Sequence, residues 1–210
     1  MGGGEQTGAA GMNLTYWFDV HSPWVYLATQ RLCDLARRHG SDIVWRPIHL
    51  PRLLDEIGGV KPLESTPARV AWFRQDILDW AELQDMPLRY HPQYPLRNSR
   101  ALRVCQLAAE LGKAEAFVTL VLRGYWAEAA DITDLDQLAR WGEAAGLSPL
   151  AVRDAAVSEI YKSRIEKNTE AAVARGVFGV PTFDTGAKLY FGNDRLDLLD
   201  RHLSRKGSGG

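Results

Sequence analysis

The chain has 210 residues, 46% of them hydrophobic, enough for one sizeable core or for one core carrying an inserted subdomain. Its 25 basic and 26 acidic side chains leave a formal net charge of −1, so there is no basic field to recruit nucleic acid and no charged tail. No run approaches the roughly 18 consecutive apolar residues that read as a membrane span, so no membrane partner is expected.

Residues 1–11 are rich in Gly and Ala and lack the basic-then-apolar pattern of a signal peptide. They and the Gly/Ser tail, 206–210, are expected to be flexible ends. The two cysteines, Cys33 and Cys105, each fall inside a helical pattern and read as small buried hydrophobes rather than a secreted disulfide framework. The expected location is the cytoplasm.

Leu14 to Val20 is short, aromatic and β-prone, which predicts a strand. Ser22-Pro23 reads as N-cap and first helical residue. Trp24, Leu27, Ala28, Leu32, Leu35 and Ala36 follow at helical spacing, with an end near His39-Gly40. Ile43 to Ile48 predicts a second strand, and a β-α-β unit of this length implies parallel pairing.

From Pro51 to Pro67 the pattern dissolves into a loop with Gly58-Gly59 and room for one short helical turn. A long helical stretch follows. One stripe is Val70, Phe73, Ile77, Trp80 and Ala81; a second is Ala101, Val104, Cys105, Ala108 and Leu111. Phe117, Leu120 and Val121 begin a third, Leu135, Leu138, Ala139 and Gly142 form a fourth, and Ser148-Pro149 opens another helix. Gly112, Gly146 and the segment Tyr90 to Pro95 mark the breaks.

A helix from Ser158 to Arg175 is expected to stop at Gly176, which suits a left-handed cap. Thr182 to Asp184 and Lys188 to Phe191 predict two strands joined at Thr185-Gly186. Asn193-Asp194 then opens a last helix with Leu196, Leu199 and Leu203 inward. The order β-α-β, many helices, β-β-α is that of an α/β domain with an all-α domain inserted after the second strand. The expected division assigns 12–62 and 176–205 to the sheet domain and 63–175 to the insertion.

Three places carry chemistry. Ser22 stands at a strand-to-helix junction, where helix amides converge and the macrodipole favours negative charge. It reads either as a plain N-cap or as a hydroxyl placed to lower the pKa of a guest thiol. A serine nucleophile would need a base; neighbouring His21 points the other way on an extended segment, and no Gly-x-Ser-x-Gly surrounds Ser22. Val180-Pro181 precedes a strand and reads either as a cis turn offering backbone groups to a ligand or as an ordinary trans loop. Asn193-Asp194 reads either as a cap or as amides and a carboxylate that grip a zwitterion. His21, His39, His49, His91 and His202 show no metal-ligand spacing with the cysteines, so no metal is expected.

These residues resemble a known family. Phe18-Asp-x-x-Ser22-Pro-Trp-x-Tyr-Leu-Ala28, Gly176-Val-Phe-Gly-Val-Pro-Thr-Phe183 and Phe191-Gly-Asn-Asp-Arg-Leu196 are similar to segments of 2-hydroxychromene-2-carboxylate isomerases and kappa-class glutathione transferases. Trp45-Arg46-Pro47 and Tyr94 to Ser99 fit the same pattern, so the resemblance spans residues 13–203. It implies a thioredoxin-like domain of the Dsb type with a helical insertion. Ser22 and Val25 stand where the redox branch carries its two cysteines, which excludes a dithiol cycle.

The resemblance implies glutathione as cofactor. Ser22 would hold its thiolate, Val180 before a cis Pro181 its cysteinyl backbone, and Asn193 and Asp194 its γ-glutamyl end. Lys61 would match the family lysine in the loop after the second strand. His21, Trp24 and Asn98 are the expected substrate-side residues. The implied reaction is addition of the thiolate to an unsaturated carbon, bond rotation and elimination. The implied partners are a small aromatic or unsaturated carboxylate and a second copy of the chain. Two departures stand out: the loop after Pro47 is longer, and Lys61-Pro62-Leu63-Glu64-Ser65 replaces the usual Lys-x-Thr-Gly-Asn. A kappa-like transferase and a non-catalytic thioredoxin-like binding protein are the alternatives. Retention of Asn193-Asp194 together with Ser22 speaks against the last.

Overall fold

The computed structural model describes residues 13–61 and 64–207; the expected N-terminal tail and the 62–63 domain boundary lie outside the described residues. Strand β1 (Leu14–Phe18) is followed by helix α1 (Pro23–Arg38) and strand β2 (Ile43–Pro47), each strand shorter at its C-terminal end than expected. Seven helices follow: α2 (Leu50–Ile57), α3 (Pro67–Leu83), α4 (Ser99–Glu110), α5 (Ala114–Trp126), α6 (Leu135–Ala144), α7 (Pro149–Val157) and α8 (Glu159–Arg175). The chain closes with β3 (Thr182–Asp184), β4 (Leu189–Phe191), a 3-10 turn at Asn193–Arg195 and α9 (Leu196–Gly207). α9 therefore runs two residues into the expected C-terminal tail, whose remainder, 208–210, is outside the described residues.

The sheet order is β2-β1-β3-β4. β1 pairs in parallel with β2, as the β-α-β reading requires, and antiparallel with β3, which forms a hairpin with β4. Tyr16 sits opposite both Trp45 and Phe183, so its ring meets theirs at 5.4 and 5.5 Å on one face. The Tyr16 hydroxyl pairs with Thr29 Oγ1 at 2.9 Å, which places α1 on that face, and the Tyr190–His202 ring contact places α9 beside it. Alternation turns Trp17, Thr182 and Asp184 to the other face. There the Arg175 guanidinium grips Asp184 with two bonds of 2.8 Å and fixes the end of α8. This is a mixed α/β, thioredoxin-like sheet with an inserted helical region.

The short turn allowed for in the loop after Pro51 is the eight-residue helix α2. Proline suits the first turn of a helix, and Pro51 stands there after His49, whose Nδ1 accepts the Arg52 amide. Leu53 and Leu54 are buried, and Gly58 ends the helix at φ 66°. Eight residues give too few turns for a periodic stripe, so the segment read as a loop. In α3 only Ile77 and Ala81 of the expected stripe are buried; Val70, Phe73 and Trp80 are half-exposed. In α4 the stripe is buried except Leu111 at its end.

The helical region and the sheet share one core. Phe117, Val118, Val121 and Leu122 of α5 are buried, each contributing about 1.5–3 kcal/mol of hydrophobic stabilisation. Trp126 Nε1 donates to the Val20 carbonyl at 2.9 Å, tying α5 to the end of β1 where the site lies.

Candidate functional site

The chain leaves β1 at Phe18 and enters α1 at Pro23. The turn between them is organised by Asp19, a fully buried carboxylate. It accepts the His21 amide at 2.9 Å, the Leu50 amide at 2.8 Å and the Asn98 side-chain amide at 2.6 Å. One carboxylate thus joins the β1–α1 junction, the start of α2 and the start of α4.

Ser22 occupies the N-cap position of α1 in extended conformation, but its side chain makes no capping bond. The hydroxyl instead donates to the Val180 carbonyl across 3.4 Å, and it is buried. Pro23 has no N–H, and the Trp24 amide has no protein acceptor among the described residues, so a donor and the positive end of the α1 dipole are left beside the hydroxyl.

The Val180-Pro181 bond is cis, as is Tyr94-Pro95. Thr182 Oγ1 donates to the Gly179 carbonyl at 2.7 Å, and the Gly192 amide donates to the Pro181 carbonyl at 3.0 Å. That second bond ties the proline loop to the Asn193-Asp194 segment.

The capping reading of that segment does not hold. Gly192 is the N-cap of the turn, and neither side chain caps it. Asn193 is buried; its Oδ1 accepts from Arg31 and from Gln84 at 3.4 Å each, while its Nδ2 is buried without a partner. Asp194 is half-exposed and bonded by neighbouring Arg195. On α3 the Asp76 carboxyl is pushed above its ordinary value by burial first, then by the charges of Asp79 and Asp194.

The remaining expected residues are placed as follows. Trp24 meets Phe73 of α3 edge to face at 5.8 Å, forming an aromatic flank beside Ser22. The His21 ring bonds the Leu96 carbonyl through Nε2 and lies 6.1 Å from the Tyr125 ring. Asn98 is buried and spends its amide on Asp19, so it is a structural tie rather than an open substrate contact. Lys61 is bound to Asp55 at 2.8 Å and stands 3.9 Å from Glu64 on its own loop; its ammonium is pushed up by the Asp55 bond. The structure therefore brings together Ser22, Trp24, Val180, Pro181, Asn193 and Asp194, and gives Lys61 local partners.

Sequence reasoning missed Asp19, Arg31, Asp76 and Gln84. Asp76 had a signal: it falls at helical spacing from Phe73 and Trp80, a carboxylate on an otherwise apolar stripe. Among the described residues no three His, Cys, Asp or Glu side chains cluster to hold a metal ion, and no helix is long and apolar enough to cross a membrane. Cys33 and Cys105 are free, buried and away from the junction. Burial, then Glu115, pushes the Cys33 thiol up to about 12, and burial pushes Cys105 up as well.

A DsbA-like thioredoxin domain model matches residues 13–204. The chain is 33% identical over 198 residues to the 2-hydroxychromene-2-carboxylate isomerase of Pseudomonas putida, covering 92% of this chain and 95% of that one. It belongs to the family of 2-hydroxychromene-2-carboxylate isomerases and kappa-class glutathione transferases, within the DsbA-like thioredoxin domains. In this family the human glutathione S-transferase kappa 1 stands further off, at 24% identity over 92% of this chain and 91% of its own. A solved isomerase of the family superposes with a TM-score of 0.83 at 31% identity, over 92% of this chain and 95% of that one.

Proposed function

We propose that this member of the family is a glutathione-dependent isomerase acting on a small aromatic carboxylate of the 2-hydroxychromene-2-carboxylate type, in the cytoplasm. The observation that carries the reading is the Ser22 hydroxyl, buried at the start of α1 yet free of any capping duty. A plain N-cap would have turned inward to the helix amides.

The residues fit glutathione. The Ser22 hydroxyl and the Trp24 amide are donors at a point where the helix dipole favours a thiolate. The backbone of Val180 is presented beside them. The half-exposed Asp194 carboxylate suits the γ-glutamyl ammonium, and buried Asn193 Nδ2 is a donor awaiting an acceptor. When bound, glutathione supplies a thiolate that adds reversibly to an unsaturated carbon and leaves again.

The chain's own residues set the conditions for that chemistry. Ser22 and the Trp24 amide hold negative charge on the sulfur and keep it oriented. The Trp24–Phe73 pair limits access of water from one side. Asp19 keeps the junction in register by bonding three elements at once.

The test is a calorimetric titration of glutathione into the parent and Ser22→Ala, followed by product analysis with a 2-hydroxychromene-2-carboxylate substrate. Binding weakened by Ser22→Ala, with a product of unchanged mass, is expected. A ligand at about 100 times its dissociation constant should also stabilise the fold by roughly 2.7 kcal/mol. Product carrying the tripeptide would make the protein a transferase. No binding at millimolar glutathione would leave a thioredoxin-like binding protein.

A further inference from the structure

The Ser22 seat continues, contact by contact, to a second polar group. Ser22 Oγ donates to the Val180 carbonyl at 3.4 Å, and the Gly192 amide donates to the Pro181 carbonyl at 3.0 Å. The residue after Gly192 is Asn193, whose Oδ1 accepts from Gln84 Nε2 of α3 at 3.4 Å. Gln84 is held there by the way its helix ends. Its amide donates to the Trp80 carbonyl at 3.2 Å, Asp85 turns left-handed at φ 51°, and the Met86 amide donates back to the Ala81 carbonyl at 2.9 Å. The inserted region therefore reaches the site through Gln84 as well as through Phe73.

The direction of each bond in this group is forced. A guanidinium only donates, so the atom of Asn193 that lies 3.4 Å from Arg31 Nη1 is the oxygen, and Nδ2 points elsewhere. That oxygen only accepts, so Gln84 presents Nε2 to it and turns Oε1 away. Exchanging oxygen and nitrogen in either amide sets like against like. Asn193 is 3% exposed, and its Nδ2 and the Gln84 Oε1 are both buried without a protein partner among the described residues. A buried donor and a buried acceptor, left open on two bonded side chains, call for a guest that supplies one of each.

Charge narrows the guest. Arg31 lies on one side, and Asp194 follows Asn193 in the chain. Their ion-pair partners, Asp197 and Arg195, are exposed to solvent, where such pairs hold weakly. A lone carboxylate offers no donor and a lone ammonium no acceptor. A neutral amide offers both and leaves both charges unused. The free end of an α-amino acid, with ammonium and carboxylate on one carbon, uses all four groups.

We infer that Gln84 and Asn193 together select the γ-glutamyl end of the cofactor. Gln84 Oε1 accepts from the ammonium and Asn193 Nδ2 donates to the α-carboxylate, with Asp194 and Arg31 supplying the matching charges. An α-linked glutamyl group has that carboxylate consumed in its peptide bond and cannot satisfy Asn193. The inference rests on the glutathione reading of Ser22 and adds Gln84, on the inserted helix, as the residue that discriminates at the far end of the ligand.

The experiment titrates glutathione and glutaryl-cysteinylglycine, which lacks only the ammonium, into the full chain, Gln84→Met and Gln84→Glu, with melting curves on the same samples. The parent should bind glutathione about tenfold or more tighter than the des-amino tripeptide. Gln84→Met should lose about tenfold for glutathione while binding the des-amino tripeptide as the parent does. Gln84→Glu keeps an acceptor for the ammonium and should preserve the preference for glutathione. Equal losses for both ligands in Gln84→Met, or no loss for either, would overturn the inference and leave Gln84 as a tie between α3 and the Asn193 turn. A parent that binds the two ligands equally, or binds neither, would overturn it as well. Ser22→Ala separates the two readings. Glutathione binding that depends on Gln84 but not on Ser22 counts against the thiolate reading alone; binding that depends on Ser22 but not on Gln84 counts against the inference alone.

Discussion

Ser22 and Val180, 158 positions apart in the chain, meet as hydroxyl and carbonyl at 3.4 Å. The contact is long for an O–H···O bond, whose usual range is about 2.5–3.0 Å. A hydroxyl held so loosely can turn to a stronger acceptor at little cost. A thiolate at the same helix start is such an acceptor.

Replacing Ser22 by Ala should therefore raise the pKa of bound glutathione and slow turnover without abolishing it, because the dipole and the Trp24 amide remain. Loss of one hydrogen bond to a charged group is worth about 1.5–3 kcal/mol, or roughly ten- to hundredfold in affinity or rate. Thiolate absorbance of the bound tripeptide against pH is the readout. Superimposable titrations of parent and variant would remove Ser22 from the role.

Asp194→Asn should weaken glutathione binding by about 1.5–3 kcal/mol if its carboxylate meets the γ-glutamyl ammonium. Asp76→Asn should weaken it as well, since the charge of Asp194 is felt at Asp76. Melting temperatures should move little, because Asp194 is half-exposed and caps nothing. Calorimetry on the two variants decides; unchanged affinity in both would make the pair an unrelated surface feature.

Neither cysteine should react at neutral pH. Cys33 is 1% exposed with its thiol pushed up to about 12, and Cys105 is fully buried with its thiol raised by the same burial. Since the thiolate is the reactive form, a thiol reagent should label the folded chain only as fast as it unfolds. Rapid labelling of either residue, or insulin reduction that a cysteine substitution abolishes, would contradict the fold as described.

Gly124→Ala should destabilise the protein by about 1–3 kcal/mol, the usual cost of overpacking. A Cβ at Gly124 would lie 2.1 Å from Trp141 Cζ2, where α5 crosses α6. Urea denaturation gives the number, and glutathione affinity of the folded variant should match the parent. A neutral substitution would mean that the crossing is looser than the contact implies.

Asp200 joins the end of α1 to α9 through His39 at 2.6 Å and Arg38 at 3.2 Å, and the His39 bond first of all holds its carboxyl below the ordinary value. A depressed folded pKa means stabilisation that is present above the unfolded pKa and fades as pH falls through the folded one. Asp200→Asn should thus lower stability slightly at pH 7, by about 0.5 kcal/mol given its partial exposure. The difference should fade as pH falls below the ordinary carboxylate value and through the lower folded one. A constant offset across that range would assign the effect to something other than this carboxylate.

Much of this molecule is written in local pattern. Strand and helix periods placed the β-α-β start, the Ser158-capped α8 with its Gly176 stop, and the closing hairpin, because each is set by short-range backbone and side-chain preferences. The family signature around Ser22, Pro181 and Asn193-Asp194 was equally legible, since it consists of residue types at fixed spacing. Tertiary structure decided what those residues do. Ser22 and Asn98 stand at N-cap positions, yet neither side chain caps: one turns to Val180 and the other to Asp19. Lys61 found Asp55 in the last turn of α2. A capping residue has the same sequence signal whether its side chain bonds its own helix or another element. The choice depends on which acceptor the folded chain brings within about 3 Å, and that distance is set by contacts between residues far apart in the sequence.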